Sequence, residues 1–94
     1  MLSIDIDGFL SLSDINIIDI RDSSKYNSGH IDGSVNIPYS KLISNPDLYL
    51  DKEIKYYIYC DKGITSYSVC KILSRVGYDV ISVEGGYKAW LTKK

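Results

Sequence analysis

Cys60 is the residue of this chain best placed to act as a nucleophile. It ends an apolar run, Tyr56-Tyr57-Ile58-Tyr59-Cys60, and is followed by a short loop, Asp61-Lys62-Gly63-Ile64-Thr65, and a helix expected to open at about Ser66. A sulfur held between the carboxyl end of a strand and a helix N-terminus sits among backbone N–H groups that favour anions. The thiolate is the reactive form of cysteine, so the chemistry on offer is attack by sulfur on an electrophile. The competing reading is a structural cysteine, since free cysteine is among the most buried residue types. Strand end, glycine loop and helix start favour the reactive reading. Cys70 is the opposite case, a core residue within the apolar stripe of the helix.

The elements that must position Cys60 can be read around it. The apolar run is too short for a helix and rich in β-formers, as a strand covered on both faces should be. In the helix, Tyr67, Val69, Cys70, Leu73 and Val76 recur at spacings of three and four, while Ser68, Lys71, Ser74 and Arg75 are polar. Thr65 or Ser66 can cap its start and Gly77 can end it. Upstream, Ile4 lies in a short edge strand, DGFLSLSD makes a turn with one helical turn, and Asn16 to Ile20 is a strand. Asp22 or Ser23 can cap a short helix that stops near Gly29. Ser34 to Ile37 reads as a strand ended by Pro38, Tyr39 to Ser44 as a brief helix, and Leu48 to Leu50 as a further turn. Asp79 to Val83 is the last strand, Glu84-Gly85-Gly86 a tight turn, and Tyr87 to Leu91 a closing helix. Strands separated by helices, with no two-residue hairpins, imply crossover connections. The expected fold is a small α/β domain: a doubly wound, mainly parallel sheet of about five strands with helices on both faces. Ligands of such sheets bind outside the strand carboxyl ends, where Cys60 and the Asp19-Ile20-Arg21 corner both fall.

Composition narrows the function classes. Ninety-four residues make one domain, 1–94, with room for a modest core and a shallow site. The formal net charge is −1, and no basic cluster exceeds the terminal Lys93-Lys94 pair, which argues against non-specific nucleic-acid binding. The nine tyrosines, without basic neighbours, read as core and surface filler. The acidic N-terminus is unlike a secretory signal, and no apolar run approaches bilayer length, so no membrane is implied. Two cysteines ten apart, one facing inward, are badly placed for a disulfide; reduced thiols and a cytoplasmic setting are expected. One histidine and two distant cysteines do not make an ordinary zinc site, and neither a dinucleotide nor a P-loop motif is present.

Four blocks, in this order and spacing, carry a resemblance: Ile18 to Asp22 (IDIRD), Gly29 to Pro38 (GHIDGSVNIP), Tyr56 to Ser66 (YYIYCDKGITS) and Val83 to Trp90 (VEGGYKAW). Together they resemble a single-domain rhodanese, a sulfurtransferase, from about residue 15 to residue 91. The resemblance implies that Cys60 takes a sulfur from a small-molecule donor, becomes a persulfide, and passes the outer sulfur to a thiol or cyanide acceptor or to a sulfur-relay protein. No metal or organic cofactor is implied. The donor-binding loop would be Asp61, Lys62, Gly63, Ile64, Thr65 and Ser66. Thiosulfate-using rhodaneses commonly read Cys-Arg-Lys-Gly-Val-Thr there. Lys62 would then attract an anionic donor, Gly63 permit the tight loop, and Thr65 offer a hydroxyl.

Asp61 departs from that pattern by putting an anion where a cation is usual. Unit charges 4 Å apart interact by roughly 1 kcal/mol in water and roughly 4 kcal/mol at a partly shielded surface. Weak thiosulfate use, with preference for a persulfide or polysulfide donor, is therefore expected. Asp19 and Arg21 match the Asp-x-Arg corner and are expected to anchor loops rather than perform chemistry. His30 falls in a Gly-His-Ile turn suited to capping and packing, and Gly85-Gly86 is expected to serve backbone geometry. A phosphatase or arsenate reductase of similar fold would need an arginine to clamp the oxyanion where this chain has Ser66. A persulfide carrier or binding module with little small-donor turnover is the alternative from another class.

Overall fold

The computed structural model describes residues 1–93, so Lys94 of the terminal lysine pair lies outside the described residues. The elements are β1 (Ser3–Ile4), α1 (Ile6–Leu10), β2 (Asn16–Asp19), α2 (Ser23–Ser28), β3 (Ser34–Asn36), α3 (Tyr39–Ser44), a 3₁₀ turn (Pro46–Leu48), β4 (Lys55–Tyr59), α4 (Ile64–Arg75), β5 (Asp79–Val83) and α5 (Gly86–Lys93). All strand pairs are parallel and the sheet order is β1-β5-β4-β2-β3, which puts β4 at the centre.

Successive strand residues point to opposite faces of the sheet, and the apolar ones divide accordingly. Ile18, Ile58 and Val80 pack with Leu42 of α3 and Val69, Cys70 and Leu73 of α4 on one face. Tyr59 and Val83 pack with Phe9 of α1, Ile31 and Trp90 of α5 on the other, with Ile17 and Tyr57 against them. The sheet is thus covered on both sides, as a doubly wound α/β domain requires.

Local chemistry sets the boundaries. The Asp22 side chain accepts from Lys25 N and caps α2, and that bond, followed by one from Ser24, holds the Asp22 pKa below its usual value. Helix α4 begins at Ile64, not at about Ser66, and neither Thr65 nor Ser66 caps it through its side chain. Gly63 takes the cap position with a φ of 96°, in the left-handed region that favours glycine. Gly77, with a φ of 101°, ends the helix as expected. The apolar stripe is narrower than its spacing implies: Val69, Cys70 and Leu73 are buried, whereas Tyr67 and Val76 are 42% and 54% exposed. Ser66, a polar residue, is buried in their place. The single turn before β4 covers Pro46–Leu48, with proline at its first position, rather than Leu48 to Leu50.

A buried polar knot fixes the carboxyl ends of β2 and β4. Asp19 Oδ2 accepts from Arg21 Nη2 at 2.7 Å and from the Tyr59 hydroxyl at 2.7 Å. Tyr59 Oη in turn accepts from Ile31 N at 3.0 Å and lies 3.0 Å from Ser34 Oγ. Arg21 continues to the carbonyl of Gly29 at 2.7 Å. Burial alone would lower the Arg21 pKa, but the hydrogen bond and charge of Asp19 outweigh it and the pKa is raised. Tyr59 is therefore no filler: its hydroxyl joins the β2 corner to the turn before β3.

Removing that hydroxyl strands the buried Ile31 N–H. Tyr59→Phe is expected to cost about 1–3 kcal/mol, read from urea unfolding. Burial, then the bond to Asp19, pushes the Tyr59 phenol far above its usual range. Its folded value exceeds its unfolded one, so its contribution is complete below about pH 10 and lost above it. Wild-type stability should fall more steeply than that of the phenylalanine variant as the pH rises past 10.

Candidate active site

Cys60 leaves the carboxyl end of the central strand, and the chain turns at once through Asp61, Lys62 and Gly63 into α4. The first turn of a helix has N–H groups without intrahelical partners. Here the acceptor is the Cys60 sulfur: Sγ accepts from Gly63 N at 3.2 Å and from Ser66 N at 3.3 Å. These donors favour negative charge on the sulfur. Behind it, Ser66 Oγ lies 3.5 Å from Sγ and 2.7 Å from the hydroxyl of Ser82 on β5.

The loop is held in place by the turn between β5 and α5. Tyr87 N donates to the Cys60 carbonyl at 2.9 Å and Lys88 N to the Asp61 carbonyl at 3.0 Å. Two backbones approach so closely here that side chains are excluded. A Cβ on Gly86, whose φ is 56°, would strike the Cys60 carbonyl, and one on Gly63 would lie 2.8 Å from Gly85 N. Gly85-Gly86 thus serves backbone geometry, and the geometry it serves is that of the Cys60 loop.

The charges around the loop are shared between elements. Asp61 Oδ2 pairs with Lys25 Nζ of α2 at 2.6 Å, and Oδ1 lies 3.8 Å from Arg21 Nη1. The hydrogen bond from Asp61 and then its charge raise the Lys25 pKa. The Arg21 guanidinium sits 4.1 Å from the centroid of the Tyr87 ring, which adds α5 to the same cluster. An open depression of about 460 Å³ is lined by Lys25, Asp61, Lys62, Tyr87, Lys88 and Leu91. A second, of about 450 Å³, lies across the loop against Lys62, Ile64, Tyr67 and Glu84.

Of the residues singled out from sequence, Cys60, Asp61, Gly63 and Ser66 come together around the sulfur or the loop backbone. Lys62, Ile64 and Thr65 are exposed on its rim. Ser66 is wholly buried and turned toward Ser82, so its hydroxyl serves the cysteine from the inside rather than a donor from solvent. Asp19 and Arg21 form the anchoring knot described above. His30 stacks on Tyr26 with ring centroids 3.9 Å apart, and its Nδ1 lies 2.9 Å from the Tyr26 carbonyl, which is the capping and packing role. Sequence reasoning missed Lys25, Tyr59, Ser82 and Tyr87. Only Ser82 left a trace, as the one polar residue inside the run Val80-Ile81-Ser82-Val83. Among the described residues, no three His, Cys, Asp or Glu side chains gather as a metal site.

The site is thus a thiol at the carboxyl edge of a doubly wound sheet, met by the N–H groups of Gly63 and Ser66. The comparisons place it more narrowly. Residues 7–93 match the model of the rhodanese-like domain. The chain is 36% identical over 80 residues to the thiosulfate sulfurtransferase GlpE of Shewanella oneidensis, covering 81% of this chain and 75% of that protein. It is 34% identical over 74 residues to the putative sulfurtransferase YtwF of Bacillus subtilis, covering 79% and 71%. A rhodanese-related protein from Thermoplasma volcanium superposes with a TM-score of 0.88 at 28% identity, over 99% of this chain and 93% of that one. The chain belongs to the rhodanese-like domain family.

Burial and then the neighbouring Cys60 push the Cys70 thiol up to about 12, and its side chain has no exposure, whereas Cys60 retains 7%. Iodoacetamide at pH 8 is therefore expected to modify Cys60 in the native protein and Cys70 only after unfolding, as read by peptide mapping. Native labelling at Cys70 would show that the α4 face opens.

Proposed function

We propose that this protein is a sulfurtransferase that carries a sulfane sulfur as a persulfide on Cys60. The observation that supports this best is the sulfur itself, met by the Gly63 and Ser66 N–H groups at the carboxyl end of the central strand. Relatives named thiosulfate sulfurtransferases support the substrate class.

In the first half-reaction the Cys60 thiolate attacks the outer sulfur of thiosulfate. A new S–S bond forms, the old one breaks, and sulfite leaves with the bonding pair. In the second, a thiolate or cyanide attacks the outer persulfide sulfur and the Cys60 thiolate departs, so no external redox partner is consumed. The rate of each step depends on thiolate fraction, leaving group and access. The loop N–H groups serve the cysteine anion in both. A persulfide or polysulfide donor reacts at the same sulfur by the same displacement.

Asp61 is not a bare negative charge facing the donor, because Lys25 and Arg21 are both drawn to it. Its effect on an anionic donor is then indirect: it occupies cations that the donor could use. Asp61→Asn would free them, and for a pair this exposed the KM for thiosulfate should fall about two- to fivefold. Unchanged KM would mean that thiosulfate binds elsewhere on the loop.

One observation favours the alternative of a carrier fed by a sulfur-relay protein. Ile64, at the rim of the loop, is 75% exposed beside the half-exposed Tyr67. No described helix is long and apolar enough to cross a membrane. Two free thiols suit a reducing compartment, and we place the protein in the cytoplasm on that ground.

The deciding experiment is the intact mass of the reduced protein after incubation with thiosulfate, then with cyanide. One added sulfur on Cys60, removed by cyanide and absent in Cys60→Ser, is the expected result. Addition from polysulfide but not from thiosulfate would move the donor; no addition from any donor would overturn the sulfurtransferase reading.

A further inference from the structure

We propose that Ser82 is a positioning residue for the Cys60 sulfur: acting through Ser66, it forms a two-hydroxyl relay whose direction follows the charge on that sulfur. Ser66 and Ser82 are 0% and 1% exposed, so neither hydroxyl has recourse to solvent. Their oxygens lie 2.7 Å apart and either can be the donor. Ser66 Oγ also lies 3.5 Å from Cys60 Sγ and 3.4 Å from the Gly63 carbonyl.

Each hydroxyl has one proton to give, and the charge on the sulfur decides where the Ser66 proton goes. When Cys60 is a thiol it donates to Ser66, and Ser66 donates on to Ser82 or to Gly63. If it donates to Gly63, Ser82 donates to Ser66 and every proton has a partner. When Cys60 is a thiolate, Ser82 donates to Ser66 and Ser66 to the sulfur, and both buried protons are used. Together with the Gly63 and Ser66 N–H groups, the anion then receives a third donor from behind, away from the incoming substrate. Charge-assisted bonds of this kind are stronger than neutral ones, and a chain of them polarises in one direction.

The charged or titratable groups carried by the elements around the sulfur do not form this relay. The loop contributes Asp61 and Lys62, with Lys25 and Arg21 reached through Asp61; α4 contributes Cys70; and the turn after β5 contributes Glu84. Helix α5 meets the Cys60 backbone through the Tyr87 N–H.

The inference deepens the reading of Cys60 as nucleophile, and its test uses no sulfur donor, so the two can fail separately. The readout is the pH profile of Cys60 alkylation by iodoacetamide in the full chain, with thermal unfolding in parallel. Ser82→Ala should move the midpoint of the profile upward and slow alkylation below it about three- to tenfold. Ser66→Ala should do at least as much, and adding Ser82→Ala to it should change nothing further, since the relay is already cut. Ser82→Cys, of similar size and weaker as a donor, carries the same expectation if the alanine variant does not fold. A wild-type profile in a folded Ser82 variant, or an undiminished Ser82→Ala effect in the Ser66→Ala background, would overturn the proposal.

Discussion

The constraint on which the rest of this fold turns is that the first turn of α4 has no side-chain cap of its own. The N–H groups of Gly63 at the cap and of Ser66 in that turn are met by the sulfur of Cys60, which must therefore lie within hydrogen-bonding distance of both. A loop this tight between strand and helix forces Gly63 into the left-handed region, where other residues are strained. It also brings the loop backbone against the turn that follows β5, and that proximity in turn demands glycine at 86, where a Cβ would strike the Cys60 carbonyl. A glycine in the turn after β5 is thus fixed by a cysteine twenty-six residues earlier.

The Asp19–Arg21–Tyr59 knot solves a different problem, that of holding three loops at one edge of a small sheet. A buried ion pair contributes little net stability if its remaining hydrogen-bonding capacity is unmet, and much is lost when one partner is removed. Here the capacity is met. Asp19 receives Arg21 and Tyr59, Arg21 reaches Gly29 and stacks on Tyr87, and Asn36 bonds the carbonyls of Asp19 and Arg21. The knot ties β2, the turn before β3 and the start of α5 to the strand that carries Cys60. It specifies geometry as well as stability: it fixes how the carboxyl ends of β2 and β4 sit beside the turn before β3.

Most of the fold was legible because its signals are local. An apolar run, a periodic helix, Asp22 before a short helix and Gly77 after a long one each report on their own neighbourhood, and alternation of strand and helix carries the parallel sheet with it. Cys60 was legible for the same reason, since strand, loop and helix adjoin in sequence. What escaped was set by contacts distant along the chain. Ser66 reads as a cap because it sits near a helix start, yet the sulfur behind it already serves the turn, and Ser82, sixteen residues away, draws its hydroxyl inward. Tyr59 reads as one tyrosine among several until the strand register sets it beside Asp19. Lys25 carries no signal at all, because nothing in a short exposed helix foretells a partner thirty-six residues on.

Asp61 shows how such a contact can change the setting of a residue. Taken alone, an aspartate beside a nucleophilic sulfur repels anions and argues against an anionic donor. In the fold it holds Lys25 at 2.6 Å and has Arg21 at 3.8 Å, so the loop keeps a cation at its mouth that comes from α2 instead of from its own sequence. The pair with Lys25 is half exposed, and exposed pairs are weak enough to exchange partners. Under the proposed sulfur transfer, a donor carrying a negative charge would compete for Lys25 at modest cost, while a neutral molecule would gain nothing by displacing Asp61. In that proposal the aspartate would act less as a barrier than as a threshold: it would set how strongly an incoming anion must bind before the cation is released to it.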